Sequence, residues 1–68
     1  MEREFKYNKK SWICTNEDIL KLCGKKAEKL VRCRKDRHGF NVVYQINNNQ
    51  VQGFVSYHSI LVTNNQLI

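Results

Sequence analysis

Five side chains in this sequence are of the types that hold metals or pair as nucleophile and base: Cys14, Cys23, Cys33, His38 and His58. Eight, nine, four and nineteen residues separate successive members, so no C-x-x-C knuckle is present. A zinc site would have to be gathered from distant parts of the fold. Cys33 and His38 flank a predicted turn, but a thiolate and imidazole pair also needs an orienting carboxylate and oxyanion donors, and neither is identifiable. No phosphate-cradling glycine loop, paired carboxylates or dinucleotide fingerprint occurs. The expectation is a chain that is not an enzyme and uses no metal or cofactor. Its three cysteines are read as small buried hydrophobes, and its two histidines as turn residues.

Charge is the more informative chemistry. The 68 residues carry twelve Lys and Arg against six Asp and Glu, a net charge of +6. Residues 21–37, "KLCGKKAEKLVRCRKDR", hold eight of the cations against Glu28 and Asp36 and so account for the whole +6. From His38 to the C-terminus, thirty-one residues contain no Asp, Glu, Lys or Arg. A block of this kind attracts polyanions or acidic protein surfaces over about 8 Å at physiological salt. Lys25, Lys26, Lys29, Arg32, Arg34, Lys35 and Arg37 are the candidate anion contacts. The competing reading is a solvated, solubilising edge.

These side chains need elements to position them. A chain of this length makes one domain, residues 1–68, and buries about 60% of its unfolded surface. Residues 1–9 are expected as a flexible N-terminal arm and 64–68 as a frayed C-terminus. No run approaches the roughly 18 apolar residues of a membrane span, and "MEREFKYNKK" lacks the apolar stretch of a secretory signal. Three cysteines cannot all pair within one chain, which fits a reducing compartment. A cytoplasmic protein is expected.

The charge-free segment has a period of two. Phe40, Val42, Tyr44 and Ile46 fall on one strand face, and Val51, Val55 and Tyr57 on the same face of a second strand, with "NNNQ" at 47–50 as the loop. That loop pairs Ile46 with Val51, Tyr44 with Gly53, Val42 with Val55 and Phe40 with Tyr57. Upstream, Asp36 and Gly39 supply turn chemistry for another hairpin, pairing Cys33 with Val42 and Val31 with Tyr44. Arg32, Arg34, Val43 and Phe54 then share the outer face of a three-stranded meander. "KSWICT" at 10–15 reads as a further strand with Trp12 as a burial candidate. Thr15 or Asn16 suits a helix cap, and residues 16–23 read as a short turn of helix or an irregular loop that Gly24 ends, followed by a strand from about 27. The alternative is α+β: Ile19, Leu20, Leu22, Cys23, Ala27, Leu30 and Val31 also fit one helical stripe, giving a single helix over 16–31 packed on a three-stranded antiparallel sheet.

"LCGKKAEKLVRC" followed by "GFNVVYQINNNQVQGFVSYHSILV" resembles the layout of small SH3-like barrels of the KOW and Tudor kind. Gly24 to Ala27 matches their turn into the second strand, "SYHS" their single helical turn, and "ILV" at 60–62 their closing strand. The likeness covers about residues 10–63. It departs in having no polar or acidic residue before the last strand and a long connection from Thr15 to Cys23. The resemblance implies a mainly β barrel of about five short strands that docks nucleic acid or protein without catalysis.

Two functions follow as expectations. In one, the Lys25 to Arg37 region contacts phosphates of DNA or RNA while Phe54, with Tyr57, offers a π surface to an unpaired base. In the other, the module docks on an acidic protein surface or by strand addition at a poorly protected edge. Virus- and prophage-encoded accessory proteins that bind host components are the analogy for this second function. Self-association covering Val43 and Phe54 is its variant. No membrane partner is expected.

Overall fold

Arg3, Phe5 and Tyr7 alternate along the chain, as do Lys10, Trp12 and Cys14, and the two sets face each other across Asn8 and Lys9. In the computed structural model, which describes residues 2–66, they form an antiparallel hairpin of β1 (Glu2–Tyr7) and β2 (Lys10–Thr15). The segment expected as an arm is thus largely strand, because Phe5 reaches the core and is 1% exposed. Asn8 and Lys9 have φ of 51° and 64°, the left-handed pair that a two-residue hairpin turn requires. Trp12 is half-buried and donates from Nε1 to the Tyr7 carbonyl at 2.9 Å. Positions 1, 67 and 68 lie outside the described residues, and with them part of the expected frayed end.

Helix α1 (Asn16–Cys23) starts on a capping box. The Asp18 N–H donates to Thr15 Oγ1 at 3.2 Å and the Thr15 N–H donates to Asp18 Oδ2 at 2.8 Å, satisfying two otherwise orphaned donors. Gly24, at φ 128°, ends it. The single helix over 16–31 is therefore corrected: the chain turns extended at Lys29. The bond from the Thr15 N–H chiefly holds the Asp18 carboxyl below its ordinary range, helped by the Thr15 hydroxyl and Asn64 and opposed by partial burial. A depressed folded pKa stabilises fully above the unfolded value, near 3.9, and is lost as pH falls through the folded one. Asp18→Asn, which keeps an acceptor but removes a solvent-screened charge, is expected to cost about 0.5 kcal/mol at pH 7, with the gap to wild type closing below about pH 4. Urea midpoints across pH 2–7 check this; a gap that stays constant contradicts it.

The second sheet is antiparallel, in the order β3 (Lys29–Lys35), β4 (Gly39–Ile46), β5 (Asn49–Ser56). Cys33 pairs with Val42, Arg32 with Val43 and Arg34 with Asn41, as the turn at Asp36 implies. Below Arg32 a bulge intervenes. Leu30, not Val31, faces Tyr44, and Val31 is left unpaired and 41% exposed. The β4–β5 turn is Asn47-Asn48, with φ of 50° and 66°, in place of a four-residue loop. Pairing therefore slides by two: Phe40 faces Val55, Val42 faces Gly53, and Tyr44 faces Val51. Because side chains alternate with a period of two, a slide of two leaves every residue on its expected face.

The C-terminal segment departs most from expectation. "ILV" at 60–62 belongs to α2 (Tyr57–Thr63) and not to a closing strand. Ser56 caps this helix, accepting from the Ser59 N–H at 3.1 Å, and Tyr57, Ile60 and Leu61 fall at the i, i+3, i+4 spacing of one buried stripe. With that strand absent, the two sheets stay separate and no barrel closes among the described residues. The architecture is mainly β, two sheets with two helices. Its core joins Phe5 and Cys14 of the hairpin, Ile19 of α1, Phe40, Val42 and Val55 of the sheet, and the α2 stripe. Phe5 and Tyr57 stack at 4.5 Å, and Phe40 meets both rings edge-on. No helix among the described residues is long and apolar enough to cross a membrane.

Candidate nucleic-acid interface

With the helices and the hairpin packed on its inner face, the β3-β4-β5 sheet turns its other face outward. The register fixes three rows across that face. Arg34, Asn41 and Phe54 form one row, Arg32, Val43 and Gln52 the next, and Lys29, Gln45 and Gln50 the third. The bulge at Val31 is what returns Lys29 to this side. Arg32 and Arg34 stand about 7 Å apart along one strand, and Phe54 lies two strand spacings, about 10 Å, from Arg34. None of the nine residues is acidic. An open depression of about 560 Å³ runs between the arginines and a floor of Asn41, Val43 and Gln52, with Lys35 and Asp36 at its end.

Phe54 was expected beside Val43 and stands instead beside Asn41, which lines the depression while Phe54 itself does not. It is 50% exposed, so it neither plugs the core nor packs under the hairpin. Its ring leans on the buried backbone of Gly39, where a Cβ would lie 2.8 Å from Phe54 Cζ. A glycine covered by an aromatic ring leaves that ring supported from below and open above. Tyr57, in contrast, is buried, and its hydroxyl donates to the Asp36 carbonyl. It offers no surface to a base, which corrects its expected role.

The seven basic candidates are all exposed but do not form one cluster. Arg32, Arg34 and Lys35 border the depression. Lys29 continues the outer face beyond the bulge. Lys25 and Lys26 occupy the connection between α1 and β3. Arg37 sits in the β3–β4 turn, where with Lys6, Lys35, Glu4 and Asp36 it surrounds a smaller depression of about 290 Å³ over Tyr57. Sequence reasoning missed Lys6 because it placed the N-terminus outside the fold. It also missed Asp36 as a rim carboxylate. That group accepts from the Arg37 N–H at 2.6 Å and from Asn41 Nδ2 at 3.2 Å, and these bonds, the first foremost, hold its carboxyl below the ordinary range.

Cys14, Cys23 and Cys33 are free, and burial is the chief cause that raises all three thiols, Cys14 to about 11. At neutral pH they are protonated and weakly nucleophilic. Cys33 points to the inner face while His38 is exposed in the turn. His58 lies in α2 and not in a turn, its Nδ1 3.0 Å from the Tyr7 hydroxyl. Among the described residues, no three His, Cys, Asp or Glu are grouped to hold a metal ion.

Compared with protein-family models, curated proteins and solved structures, the chain shows no significant match to any of them.

Proposed function

We propose that this chain is a small non-catalytic module that binds single-stranded nucleic acid across the outer face of the β3-β4-β5 sheet. The observation that carries the reading is the company Phe54 keeps: a half-exposed ring on the same face as Arg32 and Arg34, whose three cross-strand rows hold no carboxylate and whose one nearby acid, Asp36, stands at the rim. Phosphates would track the arginine edge, with Lys35 and Arg37 continuing it round the turn and Lys29, Lys25 and Lys26 extending it the other way. An unpaired base would stack on Phe54, a contact worth about 1–3 kcal/mol. Asn41, Gln52 and Gln50 offer amide donors and acceptors between the two. This reading stands on the sheet face and does not depend on the KOW- and Tudor-like layout or on barrel closure. The three free thiols support a reducing, cytoplasmic setting.

Binding that engages some four phosphates should weaken roughly fifty- to a hundredfold between 50 and 200 mM salt. Fluorescence anisotropy of a labelled oligonucleotide measures this directly. A flat salt response, or no binding to any DNA or RNA oligonucleotide, removes the proposal. Stoichiometric capture of an acidic protein that persists after nuclease treatment would assign the same cations to the alternative partner class.

A further inference from the structure

The two edges of the β3-β4-β5 sheet are chemically opposite. The β3 edge carries Lys29, Arg32, Arg34 and Lys35 and is broken by the bulge at Val31. Charge and irregularity of this kind block the addition of another strand. β5 has neither. Its eight residues are uncharged and contain no proline, its register against β4 runs without interruption, and Asn49 to Gln52 and Phe54 are exposed. Among the described residues its only sheet neighbour is β4, and no backbone hydrogen bond links it to a loop or cap. An edge that long, regular and neutral is a template for strand addition.

We propose that β5 pairs antiparallel with β5 of a second copy, about a two-fold axis near Gln52, joining two three-stranded sheets into one of six. Charge argues for a second copy as the occupant. A chain of net charge +6 resists self-association wherever its cations meet. Pairing through β5 puts the two β3 strands five strand spacings apart, about 24 Å, or roughly three Debye lengths at physiological salt. A strand from a protein of opposite charge would find nothing on β5 to select it, whereas the amide of Gln52 meets its own copy at the axis. Antiparallel pairing centred on Gln52 keeps like faces together. It sets Gln52 beside Gln52, Val51 beside Gly53 and Gln50 beside Phe54, and covers part of Val51, which is 37% exposed. One strand pair buries less than the roughly 1,200 Å² of a stable complex, so the dimer is weak and concentration-dependent.

Sedimentation equilibrium of the full chain from 10 µM to 1 mM tests the pairing. The weight-average mass of wild type should rise from 8.1 kDa toward twice that value. Gln50→Lys/Gln52→Lys and Gln50→Glu/Gln52→Glu place like charges across the axis, and each should stay monomeric while keeping a wild-type circular dichroism spectrum. Mixing the two should restore association, since the charges then pair. A wild type that stays at 8.1 kDa up to 1 mM overturns the proposal. So does association that both charged variants retain undiminished.

Discussion

Replacing Arg32 and Arg34 together by glutamate should reduce affinity for a single-stranded oligonucleotide by about a thousandfold at low salt, on the order of 4 kcal/mol. The double change removes two phosphate contacts and sets two carboxylates beside the backbone they engaged. The remaining cations then face a sheet that repels the ligand. Stability should move little, because both side chains are exposed on the outer face and substitutions of that kind usually stay within about 0.5 kcal/mol. This separates loss of the surface from loss of the fold. Lys25→Glu/Lys26→Glu is the matched control: the same charge change, placed in the connection before β3. It should cost only about tenfold, because these two lysines stand at the far end of the proposed phosphate track and off the sheet face. Equal losses in the two double variants, read by anisotropy at 50 mM salt, would mean that the sheet face has no special part in binding.

Gly39→Ala should unfold the protein more readily than any other single methyl addition at a glycine of this chain. A Cβ at Gly39 collides with the Val55 carbonyl oxygen, lies 2.7 Å from Ser56 Cα and 2.8 Å from Phe54 Cζ. Only the phenylalanine ring can swing away; the other two atoms are backbone of the paired strand. Relief requires β4 to separate from β5 just where the Asp36 N–H donates to the Gly39 carbonyl at 2.7 Å and the Tyr57 N–H to that of His38 at 3.0 Å. A cost of about 3 kcal/mol is expected, a large share of the 5 kcal/mol or so that holds a domain of this size. Gly53→Ala meets the Tyr44 ring edge at 3.1 Å, which can yield, and Gly24→Ala meets open space but must adopt φ 128°. Each should cost about 1 kcal/mol. Denaturant midpoints should rank Gly39→Ala far below the other two, and a wild-type midpoint for Gly39→Ala would contradict the packing described.

The face that carries the candidate site was readable because it rests on parity. Once Phe40, Val42 and Tyr44 turn inward, Asn41, Val43 and Arg34 must turn outward, and the slide of two residues at Asn47-Asn48 could not exchange them. The bulge was not readable: Leu30 and Val31 are both apolar, and only the pairing partner decides which one faces Tyr44. β1 was missed because Glu2, Glu4 and Lys6 make its outward face look like a solvated arm. The alternation of Arg3, Phe5 and Tyr7 was the available signal. "ILV" at 60–62 suits strand and helix alike, and the outcome was decided by the Ser56 cap and by Tyr57, which starts a helical stripe where an extended reading made it a strand residue. Phe54 on Gly39 is a contact between positions fifteen apart whose geometry depends on the two-residue turn.

The central claim is that the outward face of β3-β4-β5 is the contact surface for nucleic acid. Amide chemical-shift mapping of the labelled full chain, titrated with a single-stranded oligonucleotide, tests it most directly. The largest shifts are expected at Arg32, Arg34, Asn41, Val43, Gln52 and Phe54, with the α2 stripe of Ile60 and Leu61 unmoved. Saturable shifts confined to the helices and the β1-β2 hairpin, or none at millimolar oligonucleotide, would contradict it.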